Sequence, residues 1–125
     1  MPLCVGDKIR FERIFAGEDV KSFTQVSGDS GNHHVTPDEQ GRLMVQGLLT
    51  ATLPTKIGGD YNVLARTMHF EFVRPVFTGD AICCEVTIAK LEKQENRTWI
   101  ETSFTCTNQN GKIVMQGTFT GVILD

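Results

Sequence analysis

The chain has 125 residues, of which 40% are hydrophobic and 22% charged, a balance that fits one globular domain with a single core. Its formal net charge of −3 argues against nucleic acid or an anionic membrane as a partner. No run approaches the roughly 18 apolar residues of a membrane span. The first residues, MPLCVGDKIRFER, lack the basic start and apolar run of a signal peptide. These features predict a cytoplasmic location and one domain over residues 1–125.

The first elements in chain order are a strand and an amphipathic helix. Residues 8–15 alternate as a strand does. Residues 17–28 follow with apolar positions at helical spacing, namely Val20, Phe23 and Val26. Gly28 is placed to stop this helix, and acidic residues in its first turn suit the helix dipole.

A polar stretch and an apolar helix come next. Residues 29–42 are too polar and too rich in Gly, Asn and Pro for a core element, which predicts irregular chain. Residues 43–59 predict a helix of about 14 residues that is apolar nearly all round and therefore buried on most sides. Pro54 removes one backbone hydrogen bond and predicts a bend, and Gly58–Gly59 closes the helix.

The second half of the chain predicts strands joined by short turns. They cover residues 63–73, 81–93, 97–108 and 112–124. The sequence NQNG is typical of a hairpin turn. Short connections favour antiparallel pairing, so the pattern predicts an α+β hot-dog fold, in which an antiparallel β-sheet wraps around a long central apolar helix. One sheet leaves such a helix poorly covered, which predicts a homodimer or a higher homo-oligomer.

The four cysteines predict no special chemistry. Cys4, Cys83, Cys84 and Cys106 show no C-x-x-C spacing, so neither a zinc site nor a redox motif is indicated. Cys83 and Cys84 are neighbours in a predicted strand and should point to opposite faces. A catalytic cysteine is the alternative, but no partner lies near any of them in sequence.

The segment SGDSGNHH at residues 27–34 carries the first candidate site. It places a carboxylate and an imidazole, Asp29 and His34, on a bend where both side chains can converge on one water or one substrate atom. Three alternatives stay open. Asp29 could only cap the local turn, and His33 and His34 could be solvated loop residues. The same residues could bind a metal, although adjacent histidines rarely face one point.

Two further segments complete the candidate set. Gly47 begins the predicted apolar helix, where a free N–H could stabilise an oxyanion on a thioester carbonyl, or where glycine could merely allow close helix–sheet packing. The segment from Phe70 to Asp80 reads as a strand that ends in a turn, and we interpret it as structural.

These segments, in this order, resemble the MaoC-like dehydratase family, which includes (R)-specific enoyl-CoA hydratases. The family pattern is roughly S-G-D-x-N-P-[IL]-H, then G-R-x-V-H-G-M-L-x-A-S-L, then F-x-x-P-V-x-x-G-D. The corresponding segments here are SGDSGNHH at 27–34, GRLMVQGLLTATL at 41–53 and FVRPVFTGD at 72–80. The similarity spans nearly the whole chain.

The resemblance implies a hot-dog homodimer that hydrates trans-2-enoyl-CoA to (R)-3-hydroxyacyl-CoA. Asp29 and His34 match the residues that hold the water, and Gly47 matches the glycine that donates its N–H to the thioester oxygen. His33, Gln46 and Thr55 are the remaining candidate contacts to substrate. No metal or prosthetic group is implied, and CoA arrives as part of the substrate.

Departures from the pattern keep other functions open. Gly31 and Asn32 replace an asparagine and a proline, His33 an aliphatic residue, and Gln46 a histidine. The loop loses rigidity with Gly31 unless Asn32 or His33 compensates, and a misplacement of about 1 Å can cost a catalytic pair roughly 10²-fold. A hot-dog acyl-CoA thioesterase and a non-catalytic acyl-CoA-binding module are therefore the alternatives to the hydratase.

Overall fold

One antiparallel sheet forms the framework of the computed structural model, in the order β1-β3-β4-β5-β2. The structure describes residues 2–125, and Met1 of the predicted domain lies outside the described residues. The strands are β1 Lys8–Ile14, β2 Val63–Phe72, β3 Ala81–Gln94, β4 Arg97–Thr107 and β5 Ile113–Leu124. Every strand predicted from the sequence is present, and the pairing is antiparallel throughout, as the short turns indicated.

The helices come before the long strands. They are α1 Gly17–Ser27, α2 Asn32–Val35, α3 Gly47–Thr50 and α4 Thr52–Asp60. Gly28 ends α1 in the left-handed conformation (φ 76°) and donates its N–H to the Thr24 carbonyl, which is the predicted stop. Among residues 2–125, no helix has both the length and the apolar character needed to cross a bilayer.

The core lies between the sheet and the helices. Alternate residues of β3 and β4 are buried, because successive strand residues point to opposite faces. Helix α4 packs on β1, β2 and β3, and it contributes Leu53 and Ile57 to the core. This is the predicted α+β arrangement of a sheet wrapped around apolar helices.

Two details of the predicted helical region are wrong. The central helix is not continuous, because Ala51 separates α3 from α4. Pro54 has no N–H to donate to the Thr50 carbonyl, which is the physical reason for a break at this point. The helix is also not buried on most sides, since Leu48, Thr55 and Lys56 are exposed.

The polar stretch after α1 is not wholly irregular either. It contains the single turn α2, in which the His34 N–H bonds the Gly31 carbonyl and the Thr36 N–H bonds the Asn32 carbonyl. Both histidines therefore lie on a helical turn, whereas the sequence predicted irregular, non-helical chain between Asp29 and His34. His34 is buried, although its segment is polar.

Candidate active site

The bend after α1 holds Asp29 through one hydrogen bond of its backbone and one of its carboxylate. The Asp29 N–H donates to Ser27 Oγ at 3.0 Å, and the Gly31 N–H donates to Asp29 Oδ1 at 3.3 Å. The Oδ1 bond is the Asx-type turn that the sequence left as an alternative. It occupies only one carboxylate oxygen, so Oδ2 is left for another partner.

His34 is held by a backbone carbonyl from the next segment of the chain. Its Nδ1 lies 2.6 Å from the Met44 oxygen. A carbonyl oxygen can only accept, so Nδ1 carries the proton in this bond. The Met44 N–H in turn donates to the His33 carbonyl at 2.9 Å, which fastens α2 to the chain before α3. The imidazole is therefore buried and fixed in orientation, and Nε2 is the nitrogen left to act.

Asp29 and His34 face each other across a short gap. The distance from Asp29 Oδ2 to His34 Nε2 is 3.5 Å, which is longer than a well-formed hydrogen bond. With Nδ1 protonated, the Nε2 of a neutral ring is an acceptor, and so is the carboxylate. A water that donates one O–H to each of them satisfies both groups and turns its lone pairs outward. The predicted convergence of this pair is therefore present.

A cavity of about 470 Å³ opens beside the pair. Its polar wall comes from Asp29, His33 and His34, and α3 supplies another wall through Gly47 and Leu48. The remaining wall is the end of β2 and the segment after it, which includes Phe72, Val73, Arg74, Pro75 and Val76. The cavity therefore joins the acid/base pair to the start of the central helices.

Gly47 has the free N–H and the close packing that the sequence offered as alternatives, and its role toward an oxyanion stays a prediction. Its N–H forms no hydrogen bond with any residue of the described chain, as the first residue of a helix leaves it. A Cβ added to Gly47 would lie 2.8 Å from the Phe72 ring, so only glycine lets this ring pack there. The same residue thus serves packing and presents a free backbone donor in the cavity wall.

Two predicted contacts to substrate are corrected by the structure. The fully buried Gln46 side chain turns toward α1, where its Nε2 donates to the Val20 carbonyl at 3.2 Å and to Thr24 Oγ1 at 2.9 Å. Thr55 donates its hydroxyl to the Ala51 carbonyl and lines a separate cavity of about 160 Å³. Neither residue lines the cavity beside Asp29. The Gln46 amide is directed toward α1, where its buried Oε1 has no hydrogen-bond partner among the described residues, and the Thr55 hydroxyl is bonded within its own helix.

His33 compensates for the glycine that replaces the family asparagine. A Cβ added to Gly31 would lie 3.0 Å from His33 Cε1 and 3.4 Å from His34 Cδ2. The two imidazole rings pack with their centroids 3.9 Å apart. The space that a side chain at residue 31 would need is thus filled by the His33 ring. Packing of the His33 ring at this place is one of the two compensations that the sequence left open.

The sequence missed the wall that follows β2. The segment 72–76 was interpreted as structural, yet it forms one side of the cavity. The Met44 carbonyl that fixes His34 was also missed, because a backbone acceptor has no signature in side-chain pattern. One signal for this wall was available. The family pattern includes a third segment, matched here by FVRPVFTGD at 72–80, and that segment contains the wall residues.

The cysteines are free thiols, and Cys84 is not set up as a nucleophile. Contact with the Cys106 thiol, together with burial, raises the pKa of Cys84 above its ordinary value. A protonated thiol in the core is a poor nucleophile at neutral pH. Cys83 is partly exposed and Cys84 is buried, so the two do point to opposite faces. No cluster of metal-ligating side chains occurs within residues 2–125.

Fold and site together define a hot-dog domain of the dehydratase class. The family model described as "FAS1-like, dehydratase domain region" matches residues 6–117, and the chain belongs to this family. Among curated relatives, the chain is similar to a mitochondrial 3-hydroxyacyl-[acyl-carrier-protein] dehydratase of Arabidopsis thaliana. The two are 29% identical over 97% of this chain and 78% of the relative. The location of the present chain in the cytoplasm stays a prediction.

Solved structures confirm the hot-dog fold. The (R)-hydratase from A. caviae involved in PHA biosynthesis superposes with a TM-score of 0.85 and 25% identity, over 98% of both chains. The unliganded R-hydratase PhaJ1 from Pseudomonas aeruginosa gives a TM-score of 0.80 at 24% identity, over 98% of this chain and 82% of that one. The MaoC-like dehydratase from Rhodospirillum rubrum shares the fold, with a TM-score of 0.77 at 18% identity. The resemblance to this dehydratase family is confirmed by the family model that matches residues 6–117.

Proposed function

We propose that this chain catalyses the reversible, (R)-specific addition of water to a trans-2-enoyl thioester, with CoA as the carrier. The observation that carries the proposal is the pair of acceptors, Asp29 Oδ2 and His34 Nε2, 3.5 Å apart beside a cavity that also holds a free backbone donor. The pair is suited to hold a water by both of its protons, and the donor is suited to a thioester oxygen.

The reaction follows from these groups in one balanced sequence. The water oxygen forms a bond to the β-carbon while one of its protons passes to the Asp29–His34 pair. The electrons of the double bond move toward the thioester carbonyl, whose oxygen gains negative charge and accepts the Gly47 N–H. The pair then returns a proton to the α-carbon from the same face, which gives a syn product and frees the pair. Dehydration is the same path in reverse.

The test is turnover of crotonyl-CoA. Hydration removes the ultraviolet absorbance of the enoyl thioester and leaves the thioester bond intact, so a thiol reagent in a parallel cuvette should detect no free CoA. Absorbance loss without thiol release supports the proposal. Thiol release would instead identify the thioesterase, and stabilisation by acyl-CoA without turnover would identify the binding module. Absence of turnover at every acyl chain length would overturn the hydratase.

A carrier-protein thioester is the second candidate substrate. The plant relative is named for 3-hydroxyacyl-[acyl-carrier-protein]. The proposed chemistry is the same on either carrier, because the reacting atoms lie in the acyl group and the thioester. Comparison of kcat/KM for crotonyl-CoA and for the crotonyl thioester of a carrier protein distinguishes the two.

Gly31 and His33 should behave as a coupled pair in this reaction. We expect Gly31→Asn to lower kcat/KM roughly tenfold or more, because its Cβ meets the His33 ring and presses it against His34. His33→Leu removes the ring, so the double variant should recover much of the loss. A double-mutant cycle on kcat/KM measures the coupling. If the two losses simply add, the compensation between these residues is wrong.

We further propose that two copies of the chain pair through β2. This strand has β5 on one side only, so its other edge offers unpaired backbone groups. Leu64, Met68 and Phe72 are exposed along it, with 54%, 41% and 53% of their surface accessible. A second copy related by twofold symmetry would cover these residues and the open side of the cavity at Phe72.

Sedimentation tests the pairing. The wild-type chain is expected at twice its mass of 13.9 kDa. The variant Leu64→Lys/Met68→Lys should sediment as a single chain, because charge on this edge opposes pairing. Leu124→Lys, at an exposed apolar residue of β5, is the matched control and should stay paired. A wild-type chain that sediments at 13.9 kDa at every concentration would contradict the proposal.

A further inference from the structure

Arg74 lies in the wall of the cavity that contains the acid/base pair. It is the second residue after β2, and its backbone N–H donates to the Val114 carbonyl at 3.2 Å. Its side chain returns to the start of β5, where Nη1 donates to the Ile113 carbonyl at 2.7 Å. This bond orients the guanidinium, and its other N–H groups are left for a ligand.

Within the described part of the chain, no carboxylate forms an ion pair with Arg74. Six of the other basic side chains are in ion pairs with acidic residues: Lys8, Arg10, Arg42, Lys56, Lys90 and Lys93. Among residues 2–125, Arg74 has no such pair, and it is the one Arg or Lys side chain in the wall of this cavity. In a chain with a net charge of −3, an oriented and unpaired guanidinium at a cavity is suited to an anion.

We propose that Arg74 binds the phosphate of the phosphopantetheine arm that carries the acyl thioester. The assignment rests on the proposed function, which supplies a thioester as substrate. CoA and carrier proteins attach the acyl group to the same arm, and each arm includes a phosphate beyond the thioester. A guanidinium binds phosphate through paired N–H groups, so one residue serves both carriers. Arg74 thereby selects phosphate-bearing thioesters over the same acyl group on an uncharged thiol.

The experiment uses a series of crotonyl thioesters that differ only in the thiol. The thiols are N-acetylcysteamine, pantetheine, 4′-phosphopantetheine, CoA and a phosphopantetheinylated carrier protein. Arg74→Gln is expected to lower kcat/KM about 10–100-fold for the phosphate-bearing thioesters and to leave the first two unchanged. Arg74→Lys should retain much of the activity, because it keeps the positive charge. A lower kcat/KM for crotonyl-CoA alone, with the phosphopantetheine thioester unaffected, would show that Arg74 contacts the nucleotide part of CoA. That result would overturn the proposal.

Lys112 supplies the matched control. It is exposed, has no ion pair among the described residues, and precedes the residue whose carbonyl Arg74 contacts. Lys112→Gln removes the same charge outside the cavity wall, and it should not change the preference for phosphate. If Arg74→Gln and Lys112→Gln lowered kcat/KM for phosphate-bearing thioesters equally, the proposal would be overturned. The effect would then come from the overall positive charge of the surface and not from a contact between Arg74 and the phosphate. An equal loss on pantetheine would also overturn it.

Binding of free CoA and of free pantetheine, measured by calorimetry, separates this proposal from the proposed function. Arg74→Gln should weaken CoA binding and leave pantetheine binding unchanged, whether or not the enzyme turns over. Wild-type protein that binds CoA through Arg74 without hydrating any enoyl thioester would contradict the reaction alone. Unchanged CoA binding in Arg74→Gln would contradict the phosphate site alone.

Discussion

Asp29→Asn is expected to lower kcat/KM for crotonyl-CoA by about 10²–10⁴-fold, the usual contribution of a positioned acid/base group. Asparagine keeps an oxygen that can accept the Gly31 N–H, so the turn at Oδ1 can persist. What the substitution removes is the charge at Oδ2, which faces His34. The loss of kcat/KM therefore measures the catalytic role of the carboxylate. The control is an unchanged midpoint of thermal unfolding, which shows that the fold is intact.

His34→Gln should have an effect of similar size for a related reason. It removes the Nε2 acceptor and the ring that the Met44 carbonyl orients. Because Asp29 and His34 act on one water, the double variant should be little worse than either single variant. Steady-state kinetics on the three variants measures this. Losses that multiply, or a single variant that keeps a third of the activity, would show that the two residues do not act as a unit.

The backbone amide of Gly47 is expected to contribute about 10²–10³-fold, as single oxyanion donors do. Gly47→Pro removes this N–H, and proline is well suited to the first position of a helix. Gln46, the residue before it, has φ −60° and ψ 142°, which a following proline accepts. Activity should fall by that factor relative to Gly47→Ala, which keeps the N–H.

The comparison of Gly47→Pro with Gly47→Ala needs a smaller side chain at residue 72. Both new side chains meet the Phe72 ring, so we expect the clean result in a Phe72→Leu background, where the ring is absent. There, Gly47→Ala should stay within a few-fold of its parent and Gly47→Pro should not. The readout is kcat/KM for crotonyl-CoA with melting temperature as the control. Equal activity of the two variants would show that the Gly47 N–H does not contribute to catalysis.

Much of the fold could be predicted from the sequence because its signals are local. Alternation along β3 and β4 reflects which face of a strand is buried, and turn residues mark where strands end. The stop at Gly28 is local in the same sense, since only one residue has to adopt a positive φ. The pairing of Asp29 with His34 is also a property of a short segment, and the family pattern fixed its register.

The parts that could not be predicted depend on contacts between distant segments. Gln46 reaches residues of α1 that precede it by 22 and 26 positions, and nothing in its own segment shows that its amide turns there. Arg74 could not be chosen from the other basic residues before the cavity was known. The break at Ala51 and the turn α2 are short, and residue pattern does not resolve elements of a few residues.

The most direct test of the proposed chemistry is a crystal structure of Asp29→Asn with crotonyl-CoA bound. Hydration predicts the β-carbon beside residue 29 and His34 Nε2, with room for one water, and the thioester oxygen about 3 Å from the Gly47 nitrogen. A carbonyl carbon in that place, with the β-carbon far from both side chains, would contradict hydration and support thioester hydrolysis.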